Sequence, residues 1–410
     1  MLKHLFKIIW NKRQSNFMLI LQIFLSFMVV FVLATLGTEL LINYKKPLGF
    51  QYQNVWVLSL DWPITRDQET NLQLYSYTHE EIREIVKQII YRIESYEEVV
   101  GSVTSSHYDV PFREYIGPRD IEVDNRNLAP RALSVDDQYA SFMGIEIVEG
   151  RWFQRGDNGA AFMPVVIDQT MREKFFPNEE VIGKKLAVQY YTDNAEIIGV
   201  IGDYKHKGDF SRQEPLMFLR FNLESTDSIE SLPLNNLIFR VKEGTGAKFE
   251  ARLWEDVQKI SKGDWYPYIS YLEVIRGTNI KRNLIPIIIL SIVGGFLILN
   301  TMLGLFGVLW YNISRRYAEI GLRRAVGANR PNIQWQFIGE MVIAATLAIS
   351  LGCLFAIQFP ILDVFDIELR SYLLGIIGAI LLIYALIVVC SFYPSRVATQ
   401  IQPATALHEE

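Results

Sequence analysis

Apolar positions are distributed along this chain in two distinct ways. Four stretches, 17–36, 284–309, 333–357 and 372–392, are almost continuous in Leu, Ile, Val, Phe and Gly. Each can cross a hydrocarbon core of about 30 Å, which takes about 20 helical residues at 1.5 Å rise. The third carries an acid, Glu340. Residues 43–283 instead alternate short apolar runs with helix-spaced ones, as water-soluble sequence does. The pattern predicts an α-helical membrane protein with four transmembrane helices at 17–42, 284–310, 333–358 and 372–393. A large α+β extracytoplasmic domain of two subdomains, residues 43–283, lies between the first and second. A loop at 311–332, an external loop at 359–371 and a tail at 394–410 complete the division.

Residues 1–16 place Leu2, Leu5, Phe6, Ile9 and Trp10 on one helical face, the spacing of an amphipathic helix lying in the headgroup plane. Inside the large domain, NVWVLSLDWP at 54–63 reads as a strand, and HEEIREIVKQIIYRIESY at 79–96 as a helix burying Ile82, Ile85, Val86, Ile89, Ile90 and Ile93. The same order returns late: strand 236–244, helix 247–261, then WYPYISYLEVI at 265–275 as a strand. Between them VVID, the short helix QTMREKFF and a hairpin of KLAVQYY with AEIIGVIGDY are richer in strand signals. The expected arrangement is an αβ subdomain of 50–104 plus 232–283, with a β-rich subdomain, 105–231, inserted into it.

Charge assigns the sides. Lys3, Lys7, Lys12, Arg13, the arginines of 315–330 and Arg396 outnumber the basic residues at the other helix ends, and basic flanks resist translocation. Both termini and the 311–332 loop are therefore expected in the cytoplasm. The first span is too long for a signal core and lacks a small-x-small cleavage site, so it is expected to be retained. Over 410 residues the net charge is −5, and nothing in the pattern calls for nucleic acid. Cys353 and Cys390 are expected near opposite leaflets, too far apart to bond.

Catalytic patterns are missing. IGKKLA at 182–187 lacks the glycine spacing and the Ser or Thr of a phosphate-binding loop, HEEIR lacks the second histidine of a zinc-protease helix, no GxSxG elbow occurs, and five histidines form no cluster. The chain is therefore expected to have no catalytic residues, no metal site and no bound cofactor, and not to hydrolyse ATP by itself.

RRYAEIGLRRAVGANR, residues 315–330, is the densest chemistry in the chain. Arg315 and Arg323 stand four residues either side of Glu319, a spacing that allows pairing on a helix. Ala318, Gly321, Leu322 and Ala325 form a narrow stripe of mostly small residues, and Gly327 and then Pro331 can end the helix. A loop that merely anchors topology accounts for the arginines but not for Glu319, Gly321 and Gly327. Glu340 has two readings: a buried hydrogen-bond partner, or a side chain reaching the interface. Gly294, Gly295, Gly304 and Gly307 could allow close helix packing.

EIGLRRAVGAN resembles the signature of the MacB/FtsX-like family of ABC transporter permeases, at Glu319, Ile320, Gly321, Arg324, Ala325, Gly327 and Ala328. FIGEMVIA, YPSRVATQIQPATAL and, in the large domain, GIEIVEGRWF, VVID, FFPNEEVIGKKL and IIGVIGDYK extend the resemblance. It implies a MacB-like periplasmic domain on an FtsX-like transmembrane domain in a bacterial inner membrane, without the ATPase segment fused in MacB. ATP and Mg would then be bound by a separate ABC ATPase subunit. By the same analogy Arg315, Arg316, Glu319, Ile320, Gly321, Arg323, Arg324, Ala325, Gly327 and Ala328 form a coupling helix seated on that ATPase. Further partners implied are a second permease chain, identical or paralogous, a periplasmic adaptor with an outer-membrane factor, and the lipid bilayer. The implied work is efflux or extraction of a substrate by mechanotransmission; the alternative is a regulatory scaffold activating a periplasmic partner such as a cell-wall hydrolase.

Overall fold

The computed structural model describes residues 13–61, 64–66, 73–75, 77–105, 109–113, 118–189, 192–221, 236–365 and 367–398. The amphipathic helix expected at 1–16 falls largely outside these residues, as does the tail beyond 398. The chain divides into two compact units, one of residues 1–42 with 283–410 and one of residues 43–282.

Among the described residues of the first unit four helices are long and apolar enough to cross a membrane. They are α1 (Arg13–Lys45) and three more introduced below, all longer than the apolar stretches alone predict. Helix α1 is central to this unit, with Leu19, Ile23, Phe27, Val30 and Phe31 buried.

The second unit is built on strands β1 (Val55–Asp61), β2 (Ile64–Arg66), β3 (Gln73–Tyr75), β4 (Val99–Ser105), β5 (Ile121–Val123), β6 (Arg126–Leu128), β7 (Arg131–Val135), β8 (Ile147–Gly150), β9 (Met163–Asp168), β10 (Lys185–Val188), β11 (Thr192–Ile201), β12 (Leu216–Arg220), β13 (Asn236–Val241) and β14 (Tyr266–Tyr271). One sheet runs β14-β1-β13-β4-β7-β12-β9-β11-β10-β5-β6, with β8 on β11, and β2 pairs with β3 apart from it. Most pairs are antiparallel, but β12–β7 and β11–β9 are parallel. Among the described residues the two halves of the sheet meet through a single residue pair, Ser105 with Val135.

Helix α2 (His79–Glu94) starts at a capping box: the Thr78 hydroxyl accepts from the Glu81 N–H, and the Glu81 carboxylate accepts from the Thr78 N–H. Its Ile82, Val86, Ile89 and Ile93 are buried against Trp56, Leu58, Leu237 and Phe239 of the sheet. Two short helices, α3 (Tyr139–Met143) and α4 (Gln169–Phe175), follow. Helix α4 is capped by Asp168, whose Oδ1 accepts from the backbone N–H of Met171 and of Leu216. Phe249, Leu253 and Val257 of α5 (Ala247–Ile260) complete the layer beside α2. The opposite face of the β1 end packs Val55, Val57 and Ile238 into a second core with Phe218, Tyr139 and Trp152.

The strand expected at 265–275 stops at Tyr271. Leu272 to Ile275 instead open α6 (Leu272–Arg315), a single helix of 44 residues. Leu-Glu-Val-Ile, with apolar residues at 272, 274 and 275, fits either period, and the helix that continues beyond it decides.

After α6 come α7 (Tyr317–Ala325), α8 (Arg330–Ala356), α9 (Gln358–Ile361) and α10 (Leu369–Ala398). Cys353 and Cys390 are both free.

Candidate functional site: the 315–330 helix and its anchor

Helix α6 ends at Arg315, and a turn at Arg316 separates it from α7. That break takes Arg315 off the helix that carries Glu319, so the four-residue spacing no longer pairs them. Arg315 instead lies over the ring of Tyr311, 5.0 Å from its centroid. Within α7 the remaining pair forms: Arg323 donates to Glu319, and through Nη1 to Gln336 Oε1 at 2.9 Å. Both members of the 319–323 pair are about half exposed, where such a pair contributes a few tenths of a kcal/mol.

Helix α7 ends as its residues dictate. The Ala328 N–H reaches back to the Arg323 carbonyl at 2.9 Å and the Val326 N–H to that of Leu322 at 3.1 Å, with Gly327 at φ +100°. This six-to-one closure needs a left-handed residue, which glycine adopts without a Cβ penalty. Among the described residues nothing lies within 4 Å of where a Cβ on Gly327 would sit, so the constraint there is conformational. Pro331 then occupies the first turn of α8. It stops one helix less than it starts the next, because its missing N–H falls where no helical partner exists.

Two faces of α7 have different fates. Ile320 is buried in the core of the membrane unit, Gly321 is buried beside it, and Ala328 packs on the same core. Leu322 and Ala325 point outward, and Val326 is 83% exposed. The small-residue stripe read from spacing is thus divided: Gly321 serves inward packing, while Leu322, Ala325 and Val326 form an outward apolar edge. Arg324 belongs to the helix, and its side chain lies outside the described residues.

Arg316 is the anchor. Its Nη1 donates to Glu340 Oε1 of α8 at 2.7 Å, and its guanidinium lies 5.9 Å from the centre of the Phe337 ring. Both partners are largely buried, so of the two readings of Glu340 the structure takes the first. In such a site, losing one partner strands a charge in apolar surroundings. Exposed Trp310, Tyr311, Trp335 and Tyr393 stand near the same ends of α6, α8 and α10, the residue types that collect at a membrane–water boundary.

Spacing did not single out Val326, Trp335 or the Arg316–Glu340 pair. The first two are ordinary apolar positions until tertiary structure leaves them uncovered. The pair joins residues 24 apart across a turn. Glu39 is also absent from the sequence-predicted set: it is buried near the end of α1 and accepts from the Ser371 hydroxyl at 2.6 Å. As the sole acid of the 17–42 segment, it was visible as an anomaly.

Residues 17–254, more than half of the chain, match the MacB-like periplasmic core domain, and residues 291–403 match the FtsX-like permease C-terminal region. The macrolide export ATP-binding/permease protein MacB of Chromobacterium violaceum is 24% identical over 305 residues, 71% of this chain and 45% of that protein. MacB of Campylobacter jejuni is 27% identical over 308 residues, 70% of this chain and 45% of the relative. The chain therefore spans about 45% of the length of the MacB relatives it matches. The uncharacterized ABC transporter permease YvrN of Bacillus subtilis is 22% identical and is covered over 70% of its length by 68% of this chain. The crystal structure of the periplasmic region of MacB from Actinobacillus actinomycetemcomitans aligns over 55% of this chain and 92% of its own, at 13% identity and a TM-score of 0.38.

Proposed function

Because this chain belongs to the permease family that joins a MacB-like periplasmic core domain to an FtsX-like C-terminal region, we propose that it is the membrane subunit of an ABC-type machine powered by an ATPase on a separate polypeptide. Helix α7 is the seat of that ATPase. The observation that carries this reading is the two-sided build of α7: an inner face fixed by Ile320 and the Arg316–Glu340 pair, and an outer edge of Leu322, Ala325 and Val326 without cover. Exposed apolar residues rimmed by arginines suit a groove with an apolar floor and acidic walls. Closure of two ATPase subunits on ATP moves α7, and α6, unbroken over 44 residues, carries the stroke.

The stroke works on the outer domain, expelling or extracting a substrate together with a second permease chain and a periplasmic adaptor. The termini lie in the cytoplasm, and residues 43–283 lie outside. A large MacB-like domain favours efflux or extraction over a purely regulatory scaffold. Glu319→Lys and Gly327→Trp test the seat. Each is expected to abolish co-purification of the ATPase while the chain remains inserted and folded. Undiminished co-purification in both variants, with normal cellular function, overturns the reading.

A further inference from the structure

Residues 203–211 follow β11 and touch two places far apart in sequence. Both Asn43–Lys45, the last residues of α1, and Leu272–Arg282, the first turns of α6, belong to the same compact unit as this segment. The contact with α1 is made at the helix end. Pro47 has no N–H to give the Asn43 carbonyl, which accepts from the Lys46 N–H at 3.1 Å instead. Lys205 Nζ is a second donor to that oxygen at 2.7 Å and donates to Asp209 O at 2.5 Å, with only 1% of the residue exposed. The Lys205 N–H donates to Leu48 O at 2.9 Å, and Asn43 Nδ2 donates to Phe210 O at 3.4 Å. Tyr44 and Phe210 stack at 5.5 Å. Gly49 lets the chain pass so close that an added Cβ would lie 2.0 Å from the Asp203 carbonyl oxygen.

The contact with α6 runs through the same loop. Arg276 donates to both Asp209 carboxylate oxygens, at 2.9 and 2.6 Å, and to the Tyr52 hydroxyl at 2.6 Å while covering that ring. Asn279 Nδ2 donates to Phe112 O at 3.1 Å, and the Phe112 N–H donates to His206 O at 2.7 Å. Asp209 thus serves both sides, its backbone oxygen held by Lys205 and its carboxylate by Arg276. A helix C-terminus favours a cation, and a planar guanidinium favours a two-oxygen acceptor. The segment meets each end with the chemistry it prefers.

We propose that Lys205, Asp209 and Arg276 form a clasp that binds the end of α1 to the start of α6 through the 203–211 segment, so that both helices move the outer domain as one input. They are positioning residues. The clasp stays closed throughout the working cycle, and its role in transmission rests on the function proposed above.

The test uses the full chain in lipid nanodiscs, with hydrogen exchange followed by mass spectrometry. Lys205→Met and Asp209→Arg are each expected to lower protection of residues 43–52 and 203–211 about a hundredfold, the scale of breaking a buried ion contact. Protection of the β9–β11 core should stay unchanged. Adding Arg276→Asp to Asp209→Arg should restore protection, which a purely steric role would not do. With the co-purifying ATPase present, ATP plus vanadate should alter exchange in the outer domain of the wild type but not in the two single variants, although both still bind the ATPase. Unchanged protection in the single variants, failed rescue by the charge swap, or loss of protection throughout the domain would each overturn the clasp. A wild type whose outer domain ignores nucleotide would instead overturn the transmission reading, while the nucleotide-free exchange still decides the clasp.

Discussion

The membrane unit and the outer unit are held together by opposite means. In the outer unit large side chains interlock: Phe218 lies against Trp152 and Tyr204 with ring centres 5.3 and 5.4 Å apart, and Trp56 against Tyr271 at 4.7 Å. In the membrane unit every other spanning helix brings a glycine to α1. Gly294 of α6 meets Leu33 and Val29, Gly352 of α8 meets Phe27, and Gly375 of α10 meets Thr35. A few polar links supplement them, such as Gln22 to the Asn300 carbonyl and the Ser26–Thr301 hydroxyl pair. The difference follows from solvent. Water drives large apolar groups together, whereas lipid is as apolar as leucine and leaves close approach and hydrogen bonds to hold helices.

That contrast is broken most severely at Gly375. A Cβ there would lie 2.0 Å from Thr35 Oγ1 and 2.9 Å from Thr35 Cα. Gly375→Leu is therefore expected to separate α10 from α1 and yield little folded chain by size-exclusion chromatography. Gly307→Leu, where no described residue lies within 4 Å, should leave the monomer's fold intact. Equal behaviour of the two would show that glycine contacts are not what joins the spans.

A smaller effect is expected at Glu340. Glu340→Ala strands Arg316 and should cost about 3 kcal/mol, read as a lower unfolding temperature in detergent. Arg316→Leu combined with Glu340→Leu should recover most of it. If the double variant is as unstable as the single one, burial of an unpaired charge is not the cause.

A pH-dependent test lies in the outer unit. Burial raises the Asp168 carboxyl to about 8, against the lowering by the Leu216 and Met171 N–H groups, and its Oδ2 has no partner among the described residues. The unfolded chain releases this proton near pH 4, whereas the folded one keeps it until about pH 8. The stability it contributes is complete below pH 4 and declines as pH rises through that window. Asp168→Asn keeps an Oδ1 acceptor and carries no titrating proton. Its melting temperature relative to wild type should therefore be higher at pH 8 than at pH 5, and a constant offset between the two would refute the raised value.

Against these tests, the legible and illegible parts of the molecule sort by range. The four spans, the Ile82–Ile93 face of α2, the short helix after VVID and the 185–201 hairpin all express local periods. The end of β14 did not, because residues 272–275 satisfy both strand and helix spacing and only the length of α6 resolves them. In the candidate site Glu319 with Arg323 was readable as a four-residue pair, and Gly327 as a helix end. Arg315 departs from its four-residue spacing because a single turn at Arg316 puts it on a different helix from Glu319.

Periodicity and charge alone determine how many helices the chain sends through a membrane, where the soluble domain interrupts them, and which loop concentrates its arginines, since each of these depends on neighbours within a few turns. Tertiary structure alone decides that Glu340 belongs to Arg316, that Lys205 serves the Asn43 carbonyl, and that Leu322 and Val326 remain uncovered. Those outcomes depend on which distant backbone comes within about 3 Å, the range at which a hydrogen bond is made or lost, and no local pattern encodes that distance.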